Sequence, residues 1–277
     1  MGIFDGCLLA SDIDGTLQEN GYINPKNIEK IKYFVQEGGK FCLCTGRSIG
    51  AITAVLNQVG VTDYSVVANG CMIFDNKQNR IMHQDFLPEN ERMAARTIYN
   101  EMPNIGIEIH SEGEVYTLRR SFQLDCHQHY EGLPTDLLDF ETLLDYNWNK
   151  ALYALNDESE YARLKELTSG NNEKCDFLTT TATIDKLKRY YFEQLPKGTS
   201  KLSALKRLCE IIGVKKGGLF AIGDYYNDLE MLKNADISAA TAEAPDDIKQ
   251  YADFIAGKCD DGAVADFIDY LSNYLSK

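Results

Sequence analysis

At 277 residues the chain is long enough for one large domain or two, and 44% hydrophobic with 25% charged residues is ordinary for a soluble globular protein. The formal charge of −14 weighs against nucleic acid and against anionic membrane surfaces as general partners, since both are held through clustered Lys and Arg. No apolar stretch approaches the roughly 20 residues that span a bilayer. The stretch from Met1 to Gly6 has neither a basic nor an apolar leader segment, and Gly6 breaks the myristoylation pattern. The expectation is a soluble cytoplasmic protein. Cys7, Cys42, Cys44 and Cys71 lie in or beside apolar runs with no CxxC pair, so the eight cysteines read as reduced core thiols.

The apolar run Cys7-Leu8-Leu9-Ala10 leads into Ser11-Asp12-Ile13-Asp14-Gly15-Thr16, which places two acids where a buried parallel strand ends. Ligands bind at that edge of an open α/β sheet, and a charge there is costly unless a cation, a partner or a reaction compensates it. An acidic turn or a helix cap is the alternative reading of the pair taken alone. Asn24-Pro25 then opens a helix with the stripe Ile28, Ile31, Phe34 and Val35, which Gly38-Gly39 stops. Lys40 to Cys44 is the second strand. Ser48 is positioned to cap a helix bearing Ile52, Val55, Leu56 and Val59, and Tyr64 to Ala68 is the third strand. Strands separated by helices of this length predict a parallel sheet with right-handed crossovers.

After Asn69-Gly70 the pattern changes. Met72 to Phe74 and Arg80 to Met82 flank a hairpin loop, Pro88 opens a helix, and Ile105 to His110 with Val115 to Leu118 flank a Glu-Gly turn. Ala151 to Leu155 precedes a helical stretch from Asp157, and Lys188 to Glu193 reads as a closing strand. This α+β insertion is long enough to be a domain. Between Met82 and Pro196 there are 21 acids against 11 lysines and arginines, so most of the negative charge lies in it. Alternating helix and strand signals return from Thr199. The resulting expectation is an α/β chain: a Rossmann-like parallel-sheet core over 1–82 and 197–277, with an inserted α+β domain over 83–196.

Three later segments complement Asp12 and Asp14. Cys44-Thr45-Gly46-Arg47 offers a hydroxyl and a glycine amide to an anion at a strand end. Lys201 stands in the first turn of a helix with Leu202, Leu205 and Leu208, where the helix dipole disfavours a cation unless it faces an anion. Gly223-Asp224-Tyr225-Tyr226-Asn227-Asp228 follows the apolar strand Leu219 to Ile222 and gathers two acids and an amide at its mouth. An ordinary turn, a solvated lysine or a plain loop would account for each segment alone. Four of them in this order, all at strand ends or helix starts, point to one polar site.

These segments resemble the motif set of the haloacid dehalogenase superfamily, and most of all its Cof-type branch with a C2-type cap. Asp12-Ile13-Asp14-Gly15-Thr16 is similar to its DxDGT motif, Thr45 to its second-motif hydroxyl, Lys201 to its third-motif lysine, and Gly223 to Asp228 to its GDxxND motif. Asn69-Gly70 matches an Asn-Gly found in that branch after the third strand. Two departures are Ile237-Ser238-Ala239-Ala240-Thr241-Ala242 in place of the usual Val-Ala-Met-Gly-Asn-Ala, and Leu202-Ser203 after the lysine in place of glycine. The resemblance implies a Mg²⁺-dependent phosphatase acting on a small-molecule phosphate monoester through an aspartyl-phosphate. It implies Asp12 as nucleophile and Asp14 as general acid and base. Asp12, Asp224 and the Asp14 backbone carbonyl would hold the metal, with Asp228 orienting its water shell. Thr45, Gly46, Lys201 and Asn227 would bind the phosphoryl oxygens. The insertion would be the cap that selects the substrate, with Arg119, Arg120, His127 and His129 as its candidate contacts, the histidines more in keeping with a role other than metal binding. Arg47 would reach the substrate or pair with a core acid. A phosphomutase uses the same aspartyl-phosphate. A glycosyltransferase with a metal-binding DxD and a non-catalytic binding protein are the remaining alternatives.

Overall fold

The computed structural model describes residues 2–133, 136–169, 175–184 and 187–276, with the side chains of 94 and 182–184 left aside. The chain divides into two compact units, one of residues 1–46, 53–82 and 200–277, the other of residues 47–52 and 83–199.

In the first unit an eight-stranded sheet runs in the order Phe254–Ile255, Ile237–Ala240, Leu219–Gly223, Leu8–Ser11, Lys40–Cys44, Tyr64–Val67, Met72–Asp75, Arg80–Gln84. The pairings from Phe254–Ile255 through Tyr64–Val67 are parallel, and Met72–Asp75 joins antiparallel to Tyr64–Val67. The neighbouring strands Leu8–Ser11 and Leu219–Gly223 are buried throughout and apolar at every position but Ser11, as suits strands covered on both faces. Leu8, Ala10, Cys42, Val66 and Ala221 on one sheet face pack against Leu202, Leu205 and Leu208 of the helix Lys201–Ile212.

The helix Pro25–Gln36 starts where Asn24 and Pro25 place it, with the Lys26 amide donating to Asn24 Oδ1 at 2.9 Å. Ser48 caps something shorter than the helix expected for it. It accepts the Ala51 amide at the head of a 3₁₀ turn over Gly50–Ile52, and the α-helix itself is Thr53–Val59. The hairpin after Asn69-Gly70 is present, with Asp75 Oδ1 accepting the amides of Lys77 and Gln78 to close its loop.

The second unit holds a six-stranded sheet in the order Asp136–Leu137, Glu114–Arg119, Gly106–Ser111, Trp148–Leu155, Leu187–Pro196, Cys175–Ile184. Its two faces differ in chemistry. Ile107, Ile109, Ala151, Tyr153 and Phe192 point to an apolar core shared with the helices Glu89–Glu101, Phe140–Leu144 and Glu160–Thr168. Strand alternation sends Glu108, His110, Lys150 and Glu193 to the other face, where the helix Phe122–Glu131 packs. All four are buried, and each has a partner: Lys150 Nζ lies 2.8 Å from Glu193 Oε2, Thr180 Oγ1 donates to Glu193 Oε1, and Gln128 Nε2 donates to Glu108 Oε2 at 2.8 Å. Burial alone pushes the Glu108 carboxyl up. The bond with His110 at 2.8 Å, the charge of His127 and the Gln128 amide outweigh it and hold the group down at about 2.

A carboxyl whose pKa is lower in the folded than in the unfolded chain binds fewer protons when folded. Its contribution is therefore complete above the ordinary Glu value and is lost as pH falls through that value towards 2. Trp148, the single tryptophan of the chain, is fully buried in the second unit and reports on its unfolding. Urea midpoints followed by Trp148 fluorescence should fall steeply between about pH 4.5 and pH 3 in the wild type and less steeply in Glu108→Gln. Parallel slopes would show that Glu108 is not the group that titrates.

Candidate active site

The parallel register brings the site together. Ser11 pairs with Ile222 on one side and Leu43 on the other, so the strands Leu8–Ser11, Leu219–Gly223 and Lys40–Cys44 end at one edge. The residues that follow them, Asp12, Asp224 and Thr45, emerge there side by side.

At the centre stands Lys201. Its Nζ lies 2.6 Å from Asp12 Oδ1 and 2.6 Å from Asp228 Oδ1, and the lysine is 2% exposed. The anions that a cation at a helix start calls for are two buried carboxylates. Lys201 is fixed at the helix N-terminus by reciprocal capping: Ser203 N donates to Ser200 Oγ at 3.2 Å, and Ser200 N donates to Ser203 Oγ at 2.9 Å. Ser203 thus serves the helix start.

Asp228 is fully buried and occupied on both oxygens. While Oδ1 meets Lys201, Oδ2 accepts the amides of Asp224 at 3.0 Å and Tyr225 at 3.2 Å, so it shapes the loop that carries Asp224. Asp224 Oδ1 accepts the Thr16 hydroxyl at 2.9 Å. Two glycines admit these carboxylates. A Cβ at Gly15, which has φ +81°, would lie 2.6 Å from Asp224 Oδ2, and one at Gly223 would lie 2.5 Å from Asp228 Cγ.

Carboxylate oxygens of Asp12, Asp224 and Asp228 lie within 4.8 Å of one another, close enough to hold one ion. An all-oxygen donor set suits a hard divalent cation. Burial pushes Asp12 up to about 7 despite Lys201, with the charges of Asp228 and Asp14 adding to the effect. Asp224 is pushed well above the usual carboxylate range by burial and by the charges of Asp12 and Asp228. Lys201 moves upward as well, because the two carboxylates outweigh the cost of burying the ammonium. One ammonium among three carboxylates leaves the cluster short of positive charge, and a bound cation would relieve that.

Asp14 is exposed, in a turn where Gly15 N donates to Gln18 O; its carboxylate is outside the three that cluster, though its charge reaches Asp12. Thr45 is buried, and its carbonyl accepts the Asn69 amide at 3.0 Å. Gly46 lies against the Asn69 carboxamide, to which Asn227 Nδ2 donates at 3.4 Å. Thr16 and Asn69 are the two contributors that residue-type reasoning passed over, although Thr16 lies inside the quoted motif and the Asn69-Gly70 dipeptide stood out.

The candidate contacts in the insertion occupy different surroundings. Arg119 donates to the Met102 carbonyl and stacks 3.9 Å from the Tyr99 ring centre. Arg120 pairs with Asp125 at the surface. His127 is buried against Tyr191 and near Glu108 and Glu131, whereas His129 is exposed. Arg47 donates to the Ala51 carbonyl and lies 5.4 Å from the Tyr130 ring centre. Six of the cysteines are buried and two half-buried, all as free thiols. No helix among the described residues is long and apolar enough to cross a membrane.

The family profile described as haloacid dehalogenase-like hydrolase matches residues 9–268. The chain is 26% identical to the 5-amino-6-(5-phospho-D-ribitylamino)uracil phosphatase YwtE of Bacillus subtilis, over 95% of this chain and 97% of that one. It is 26% identical to the HMP-PP phosphatase of Yersinia pseudotuberculosis, covering 97% and 95% of the two chains. Among solved structures, the HAD subclass IIB sugar phosphatase BT4131 superposes with a TM-score of 0.82 at 19% identity, covering 96% of this chain and 99% of that one. A haloacid dehalogenase-like hydrolase from Bacteroides thetaiotaomicron gives 0.81 at 24% identity, covering 96% and 99%.

Removing one member of a buried charge pair leaves the other uncompensated, typically at about 3–5 kcal/mol. Lys201→Met should destabilise the metal-free protein by about that much in chemical denaturation. A loss under about 1 kcal/mol would place it with exposed ion pairs and show that Lys201 does not compensate Asp12 and Asp228.

Proposed function

Since this chain belongs to the haloacid dehalogenase-like hydrolase family, we propose that it is a Mg²⁺-dependent phosphatase that hydrolyses a small-molecule phosphate monoester through an aspartyl-phosphate on Asp12. The observation that carries this reading is the buried Lys201 ammonium between Asp12 and Asp228, with the Asp224 carboxylate within 4.8 Å of both acids. The phosphatase names of the relatives from Bacillus subtilis and Yersinia pseudotuberculosis support the substrate class.

Asp12 and Asp224, with the backbone carbonyl of Asp14, are the residues that would hold Mg²⁺. Asp228 is engaged with Lys201 and two loop amides and so serves to hold that set in place. When bound, Mg²⁺ supplies positive charge that reduces the repulsion between an anionic nucleophile and an anionic ester.

Asp12 attacks phosphorus through a carboxylate oxygen. An O–P bond forms to Asp12 while the bond to the ester oxygen breaks. Lys201 fixes the Asp12 carboxylate and, with Thr45, the Gly46 amide and Asn227, faces the phosphoryl oxygens as charge shifts towards the leaving group. Asp14 gives its proton to the departing oxygen. The carboxylate this leaves then takes a proton from the water that attacks phosphorus, the Asp12–phosphorus bond breaks, and phosphate is released with both acids restored. The exposed position of Asp14 suits a group that exchanges protons with both alcohol and water. The burial of Asp12 suits a nucleophile kept from competing solvent.

Hydrolysis of p-nitrophenyl phosphate should require Mg²⁺ and should stop with EDTA. Asp12→Asn should lower kcat by about 10³-fold or more, as losing a nucleophile does, and wild-type turnover in that variant would refute the nucleophile assignment. Asp14→Asn should slow both chemical steps while Mg²⁺ still binds by calorimetry. Loss of metal binding would instead make the Asp14 side chain a ligand.

A further inference from the structure

Three consecutive residues with positive φ follow the strand Tyr64–Val67: Ala68 at +51°, Asn69 at +56° and Gly70 at +100°. Glycine tolerates this region and asparagine enters it more readily than most residues, whereas alanine is held there at a cost that the surroundings must impose. Both residues are nearly fully buried. The constraints are visible. Asn69 N donates to the Thr45 carbonyl at 3.0 Å, and Cys71 N donates to the Ala68 carbonyl at 3.2 Å. A Cβ at Gly70 would fall 2.1 Å from the Ser200 carbonyl oxygen, so the turn lies directly on the start of the helix that carries Lys201.

The same turn aims the Asn69 carboxamide. Its oxygen accepts from Asn227 Nδ2 at 3.4 Å, and its amide group fills the space where a Cβ on Gly46 would lie 3.1 Å away. One strained turn therefore touches the segments bearing Thr45 and Gly46, Asn227 and Lys201. If only the backbone path mattered, glycine at 69 would follow it with less strain. Asparagine keeps the strain and adds a side chain that reaches Asn227.

We propose that Asn69 is a positioning residue for phosphoryl transfer: its carboxamide orients the Asn227 side chain in the phosphate pocket, and the left-handed turn over Ala68–Gly70 is held to place it. This rests on the phosphatase reading above. Asn69 acts through Asn227 and takes no part in bond making.

Asn69→Gly removes the side chain in a conformation that glycine prefers, so the variant should keep or raise its melting temperature. Its kcat/KM for p-nitrophenyl phosphate should nonetheless drop about 10- to 100-fold, the range for losing a group that orients a reacting-site ligand. Combined with Asn227→Ala, it should cost no more than about twofold beyond Asn227→Ala alone, since residues acting through one another are not additive. In protein labelled with ¹⁵N at asparagine, the side-chain amide peaks missing from Asn227→Ala identify Asn227, and in Asn69→Gly they should shift. Unshifted Asn227 peaks would overturn the proposal whatever the activity, and so would shifted peaks with wild-type kcat/KM or losses that multiply. A wild type that hydrolyses no ester would overturn the phosphatase reading instead, and the amide shift would still decide whether Asn69 holds Asn227.

Discussion

The Lys201 ammonium, buried between Asp12 and Asp228, is the interaction on which the rest of the site depends. It joins residues 189 and 27 positions apart in the chain, each placed by a different element. Burying an ammonium is costly, and the helix start where it stands is the wrong end of the dipole for a cation. Two carboxylates at 2.6 Å make the position tolerable. The dependence also runs the other way. Without the lysine, Asp12 and Asp228 are two buried charges at a sheet edge, and Asp228 could not hold the loop amides of Asp224 and Tyr225 as an ionised group at the same cost.

That arrangement sets demands on the backbone around it. Asp228 can close on its loop only because Gly223 has no side chain, and Asp224 can approach the first motif only because Gly15 has none. Thr16, one residue on, completes the contact from the other side by donating to Asp224. The two motifs are thus complementary surfaces that fit at the level of single atoms. The Asp12 and Asp224 strands must be neighbours in parallel register for the fit to occur, and the sheet order provides this.

How much of this was legible in the sequence follows from where the signals are local. The strands of the first unit were readable because each is a short apolar run, and its end could be placed by the polar residues that follow it. Asp12, Lys201, Asp224 and Asp228 stood out because charge is expensive at such places. Thr16 and Asn69 did not, because hydroxyls and amides are cheap almost anywhere, and their contacts with Asp224 and Asn227 link positions 208 and 158 residues apart. In the second unit the helix Phe122–Glu131 carries no periodic signal in its sequence. It packs on a polar sheet face, so its buried residues Leu124, His127 and Gln128 form no apolar stripe, although Ser121 and Gly132 cap it in the ordinary way. The strand Cys175–Ile184 was missed because its Thr-rich run lacks clean alternation.

The buried carboxylates of the two units differ in how their charge is met. Glu108, Glu193, Asp12 and Asp224 are all removed from water in part or whole, and burial pushes every one of them towards the neutral form. In the second unit the push is overcome: His110 and Gln128 meet the two oxygens of Glu108, and Lys150 and Thr180 meet those of Glu193, so both carboxyls end below the usual range. In the first unit Lys201 is shared between two acids, Thr16 supplies Asp224 with a neutral donor only, and both Asp12 and Asp224 end above it. The balance of donors and cations against neighbouring carboxylates, on top of burial, decides the sign. A network that satisfies its own charges is complete as it stands. One that gathers three carboxylates around a single ammonium is arranged for positive charge that the chain itself does not supply, and that deficit is the physical reason to expect a divalent cation at this sheet edge.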